Sequence, residues 1–288
     1  MLLSIITVNL NNAEGLMRTL HSVRNQTVFD QFEHIVIDGA SSDGSIDVIN
    51  EFKSDLVWIS EKDSGVYEAM NKGVKLARGK YLLFLNSGDI FYDKSVVEDV
   101  LPYLDEEMPL VIGRILLGKT NEVTPIETEL SFLSIYKSYI PHPASFIRKD
   151  LLEKRPYDQH LKICSDWKFF FETLILDGVD YRFIDRIISV FDQNGLSSTY
   201  GETVTDERLQ VLREYLPERI ISDYQTFTKW KEYDVSTYDR FFSQMKTIRL
   251  GRLAYTIDVS IFRIASLFLK RARFARSFPF IVPKKEKV

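Results

Sequence analysis

The chain has 288 residues, of which 45% are apolar and 27% charged, the make-up of an ordinary folded protein with a sizeable core, which excludes a disordered or fibrous chain. One cysteine, Cys164, excludes an internal disulfide and points to a reducing compartment, where it reads as a small buried hydrophobe. The net charge of −4 is unevenly spread: residues 246–288 hold 11 Lys/Arg and 2 Asp/Glu, a net +9, while the remainder hold 26 and 39, a net −13. An acidic body without a recognition module argues against nucleic acid.

The N-terminal Met1–Val8 is apolar without a basic leader and reads as a first strand, not a signal peptide. No apolar run is long enough to span a bilayer. Leu3 to Val8 ends in Asn9-Leu10-Asn11-Asn12, a polar turn that opens a helix over Ala13 to Arg24. A second strand, Phe32 to Ile37, ends in Asp38-Gly39-Ala40-Ser41-Ser42-Asp43-Gly44-Ser45, with Asp43 placed to cap a helix through Ile46, Val48, Ile49 and Phe52. Leu56 to Ile59 is a third strand, and Val66 to Ala77 a helix with Val66, Met70 and Val74 on one face.

Tyr81 to Leu85 is an unbroken apolar run that reads as a strand buried on both faces of a parallel sheet, and it stops at Asn86-Ser87-Gly88-Asp89. Strands alternating with helices predict an α/β protein built on a mostly parallel sheet flanked by helices. Three strands ending in Asp, Asn, Ser and Gly would line one rim, where ligands of such sheets bind. A carboxylate there can hold a hard divalent cation, and the cation a diphosphate.

Further on, Leu110 to Leu117 reads as another strand. His142, between Pro141 and Pro143, is presented by a stiff extended backbone; it reads either as a contact to diphosphate or acceptor or as a structural loop residue. Asp166, in Ser165-Asp166-Trp167-Lys168-Phe169-Phe170-Phe171, opens a helix and reads as its N-cap, a place that leaves it open to a further role. From Glu207 onward the pattern is helical. Leu250, Leu253, Ile257, Ile261, Ile264 and Leu267 form an apolar stripe flanked by arginines: a basic amphipathic helix that lies on an anionic membrane or packs on the body.

Thr7-Val8-Asn9, Asp38 to Ser45, Ser60 to Gly73 and Phe84-Leu85-Asn86-Ser87-Gly88-Asp89, in this order, resemble the inverting nucleotide-sugar glycosyltransferases of GT-A fold (glycosyltransferase family 2), and the third segment resembles a branch that builds bacterial surface polysaccharides. The resemblance implies a Rossmann-like GT-A catalytic domain over 1–206, its nucleotide-binding half at 1–100 and its acceptor side at 101–206, followed by a helical extension at 207–288. It implies nucleotide contacts from Thr7, Asn9, Asp38, Asp63, Asn71 and Asn86, Mg²⁺ or Mn²⁺ on Asp89, and Asp166 as catalytic base. Asp38 would read the base, or else make a turn bond to its own backbone. Two departures stand out: the second Asp of the usual pair is Gly39, and the usual Asp-x-Asp is Asn86-x-Gly88 followed by Asp89. The Asp192 to Ser198 loop resembles one that closes near the donor phosphates.

The implied activity is metal-dependent, inverting transfer of a sugar, most simply from a UDP-sugar, to a glycan acceptor, lipid-linked in view of the basic stretch 246–288. Such a protein would work in the cytoplasm, peripheral at the inner face of the cell membrane. The alternative is a catalytically inactive nucleotide-sugar-binding scaffold, which the glycines at 39 and 88 allow. A sugar-nucleotide pyrophosphorylase ranks last, because no glycine-rich basic loop follows the first strand.

Overall fold

A computed structural model describes residues 1–105, 108–125, 130–193 and 201–226. One unit runs from Met1 to Ile221 and a second starts at Ser222. The basic amphipathic helix expected within 246–288 and residues 194–198 of the glycine-serine loop lie outside the described residues.

Strand β1 (Leu3–Asn9) is buried along its whole length, as a central strand covered on both faces must be. It pairs in parallel with β2 (Phe32–Asp38) and β4 (Tyr81–Phe84), and β2 pairs in parallel with β3 (Leu56–Ser60). Helices α1 (Ala13–Arg24), α2 (Ser45–Phe52) and α3 (Val66–Leu76) make the crossovers. Gly73 lets α3 lie against β1, since a Cβ there would stand 2.5 Å from Ile6 Cγ2. Helix α2 starts from Gly44 in the left-handed region instead of from Asp43, whose carboxylate accepts the N–H of Ser45 and, across the rim, that of Ala13.

The sheet has eight strands in the order β3-β2-β1-β4-β7-β6-β8-β5, completed by β5 (Ile90–Phe91), β6 (Leu110–Leu117), β7 (Ser145–Arg148) and β8 (Arg182–Phe191). Beyond β4 it is mixed: β7 runs antiparallel to β4 and β6, β8 parallel to β6, and β5 antiparallel to β8. The Tyr81 strand is therefore buried as expected but has a parallel neighbour on one side only. The sequence reading leaves β7 and β8 unassigned; Arg182, Asp185 and Arg186 interrupt the apolar pattern of β8.

One face of the sheet packs Ile6, Ile35 and Phe84 with Met70, Tyr157, Trp167 and Phe170, and the other packs Leu3, Ile5 and Leu83 with Val97, Phe146 and Ile184. The first layer includes α7 (Ser165–Phe170) and, through Val211 and Leu212, the long helix Gly201–Tyr215. The remaining α-helices of the described residues are Val96–Asp105, Phe132–Lys137 and Lys149–Lys154. Helices are numbered in chain order, so Gly201–Tyr215 is α8. No described helix is long and apolar enough to cross a membrane.

Candidate active site

The register of the parallel half sets Asn9, Asp38 and Ser60 side by side at the carboxyl ends of β1, β2 and β3. Asp38 is fully buried and accepts four hydrogen bonds, from Asn9 Nδ2 (2.8 Å), Ser41 N (2.9 Å), Ser41 Oγ (2.6 Å) and Ser60 Oγ (2.7 Å). Burial pushes its carboxyl up, but these donors outweigh that and hold it below its ordinary value.

A cavity of about 360 Å³ opens beyond this rim, and Asn9, Asp63, Asn86, Asp89, His142 and Asp166 line it. Three expected nucleotide contacts are not in its wall. Asp38 braces Asn9 from behind. Thr7 Oγ1 is buried between the Leu85 carbonyl (2.7 Å) and His34 Nε2 (2.9 Å). The Asn71 amide is paired with the backbone of Tyr157, donating to its carbonyl at 2.8 Å and accepting its N–H at 3.0 Å. Asp63 takes an ion pair from Lys72, yet burial still raises its carboxyl.

Asp89 follows Gly88, whose φ of 108° is open to glycine and strained for other residues; a Cβ there would also meet Asp192 Oδ2 at 2.8 Å. Asp89 is 3% exposed, and its carboxylate accepts the N–H of Asp192 at 2.8 Å. Burial lifts it to about 7 in spite of the attraction of His142. Nearby, Asn86 Nδ2 lies 3.2 Å from His142 Nε2, while Asn86 Oδ1 is buried with no hydrogen-bond partner. An unsatisfied carbonyl oxygen next to an under-compensated carboxylate is a set of hard oxygen donors that suits Mg²⁺ or Mn²⁺. Among the described residues no cluster of three or more His, Cys, Asp or Glu could hold a metal alone, so a cation here would rely on phosphate oxygens and water for its other ligands.

Asp166 lies in the first turn of α7, whose cap position is Cys164, and 21% of its side chain is exposed to the cavity. Its Oδ1 accepts the Tyr67 hydroxyl (3.0 Å) and the N–H of Trp167 (2.9 Å), and its Oδ2 faces His142 Nδ1 (3.3 Å). Burial pushes the carboxyl up; the hydrogen bond and charge of His142, with the Tyr67 hydroxyl, outweigh it and hold Asp166 ionised, below its ordinary value. The proton between His142 Nδ1 and Asp166 Oδ2 sits on the imidazole, which donates it to the ionised carboxylate. The ring thus links Asn86 to Asp166.

Two participants escape the sequence reading. Tyr67, buried in α3, shares its one hydroxyl proton between Asp166 Oδ1 and the Ile163 carbonyl. Glu207 of α8 accepts the backbone N–H groups of Lys162 (2.8 Å), Ile163 (3.0 Å) and Cys164 (3.0 Å), and so fixes the loop that delivers Asp166. Nothing local marks Glu207, one of several acidic residues on an amphipathic helix.

Residues 4–170 match the family described as "Glycosyl transferase family 2". A PGL/p-HBAD biosynthesis glycosyltransferase of Mycobacterium bovis is 33% identical over 204 residues, 68% of this chain and 79% of that protein. Among solved structures, S. aureus TarS 1-349 in complex with UDP-GlcNAc is similar with a TM-score of 0.64 at 18% identity, over 90% of this chain and 79% of that one. This chain spans only 45% of the S. aureus TarS chain solved at greater length. The mannosyltransferase PcManGT from Pyrobaculum calidifontis, solved with GDP-Man and Mn²⁺, is similar with a TM-score of 0.54 at 15% identity, over 67% of this chain and 58% of that one. These likenesses establish the GT-A type of α/β fold, and the sequence match establishes the lineage: the chain belongs to glycosyl transferase family 2.

Proposed function

We propose that the protein transfers a sugar, with inversion, from a UDP-sugar or a related nucleotide donor to a hydroxyl of a glycan acceptor in surface-polysaccharide synthesis. One observation carries the reading: Asp89 and Asp166 line the same cavity, one beside the nucleotide rim and the other beside His142 and the second half of the chain. Asn9 and Asp63 lie where a nucleoside would rest, and Asn86 and Asp89 where its diphosphate would. Asp89 and Asn86 would hold a divalent cation, which would supply charge neutralisation for the departing diphosphate. Asp166 is ionised and reaches the cavity, so it can take the proton of the acceptor hydroxyl as that oxygen attacks the anomeric carbon. His142 and Tyr67 hold its two oxygens in place. A single displacement of this kind inverts the anomeric carbon.

A thermal-shift screen of UDP- and GDP-sugars, with and without Mn²⁺, tests the reading. At least one nucleotide sugar should raise Tm in a metal-dependent way. No shift with any of them overturns the donor assignment. The anomeric configuration of the product, read by NMR, tests inversion.

A further inference from the structure

A second cavity, of about 240 Å³, lies beyond Asp166 and shares His142, Ile163, Asp166 and Phe191 with the first. Its wall carries Arg208, one residue after the Glu207 clamp on α8. The guanidinium lies over the Trp167 ring, 5.1 Å from the centroid, and is half-buried. Its Nε has no hydrogen-bond partner, and no carboxylate among the described residues forms an ion pair with it. Burial disfavours its charged form, with Cys164 and the charge of Asp166 as the groups that offset this.

An arginine keeps its charge under all ordinary conditions, and its rigid fork of N–H donors is shaped for carboxylates and phosphates. Other cations of the same region are paired: Lys168 with Asp158 and Glu214, and Arg155 with Asp177 and Glu172. Stacking on Trp167 leaves the Nε donor unused. A partly desolvated guanidinium on a cavity wall, with no carboxylate among the described residues in ion-pair contact, is complementary to an anion that arrives with a ligand.

We infer that Arg208 binds an anionic group, a carboxylate or a phosphate, on the acceptor saccharide. The inference rests on the glycosyltransferase reading above, because it takes the side of Asp166 away from the nucleotide rim as the place of the acceptor. The hydroxyl to be glycosylated must reach Asp166, so the sugar that carries it fills the second cavity. Apolar walls from Leu117, Ile140 and Phe191 pack against its ring faces, and its acidic substituent reaches Arg208. Arg208 then selects acidic over neutral acceptors, and its bound anion stays apart from the leaving diphosphate on the other side of Asp166.

The test uses the full chain with saturating UDP and Mg²⁺ and titrates three probes by calorimetry: methyl glucuronide, glucose 1-phosphate and methyl glucoside. At least one anionic probe should bind tenfold or more tighter than the neutral glycoside, and the stronger of the two identifies the group as carboxylate or phosphate. Arg208→Gln should abolish that preference while UDP affinity stays within twofold, and Arg208→Lys should restore part of it. Equal binding of all three probes, no binding of any, or a preference that survives in Arg208→Gln overturns the inference. Failure of UDP itself to bind the wild-type protein overturns the underlying function instead. Thermal unfolding of both variants checks their fold, and the lysine variant keeps the test decisive if the glutamine variant is unstable.

Discussion

His142 Nδ1 lies 3.3 Å from Asp166 Oδ2, and the opposite nitrogen of the same ring lies 3.2 Å from Asn86. The imidazole therefore bridges Asn86 and Asp166 across the cavity, from the short helical turn His142–Ala144. Its removal should release Asp166 from part of the stabilisation that keeps it ionised. In His142→Gln the acid limb of the pH–rate profile is expected to move to higher pH, because the base protonates sooner. A limb that stays in place would assign the imidazole no influence on the base.

Asp166→Asn keeps the shape of the cavity and removes the proton acceptor. Turnover should fall by about 10²–10⁴ while nucleotide affinity remains unchanged. Transfer at the wild-type rate would remove Asp166 from the chemistry.

Asp89 has its carboxyl raised from 3.8 to about 7, so between those values the folded protein holds a proton that the unfolded chain releases. Stability from this group is therefore present at low pH and lost as pH rises through 7. In chelator, the Tm advantage of Asp89→Asn over wild type should grow by about 4 °C or more from pH 5 to pH 8, since each kcal/mol is worth about 2–4 °C at this size. Added Mn²⁺ should close the gap by stabilising only the wild type. A pH-independent difference between the two proteins would contradict the burial argument.

Glu207 carries three backbone hydrogen bonds for the loop before Asp166. Glu207→Ala should lower unfolding stability by about 1–3 kcal/mol, measured in urea, because three N–H groups lose a charged acceptor. Turnover should fall with it, while nucleotide binding at the far rim persists. An unchanged urea midpoint would show that the loop holds itself.

Residues 246–288 carry a net +9, and contact with anionic membrane is the use we propose for them. Deleting this stretch should stop sedimentation with phosphatidylserine vesicles. Undiminished sedimentation would place the contact elsewhere.

The first hundred residues declare their fold in one dimension, because each strand there is a short apolar run closed by turn residues and each helix has its own period. That made the rim, Asp89 and the helix-opening Asp166 readable before any coordinates, and with them the family. Burial and partnership were not readable. Thr7, Asp38 and Asn71 have the residue types of ligand contacts, yet side-chain and backbone groups from distant segments occupy their polar atoms. Tyr67, Glu207 and Arg208 acquire their places only when α3 and α8 close over the loop before α7. A local pattern reports which atoms a segment offers; which of those atoms stay free for a ligand depends on contacts between segments far apart in sequence, and only the folded chain decides them.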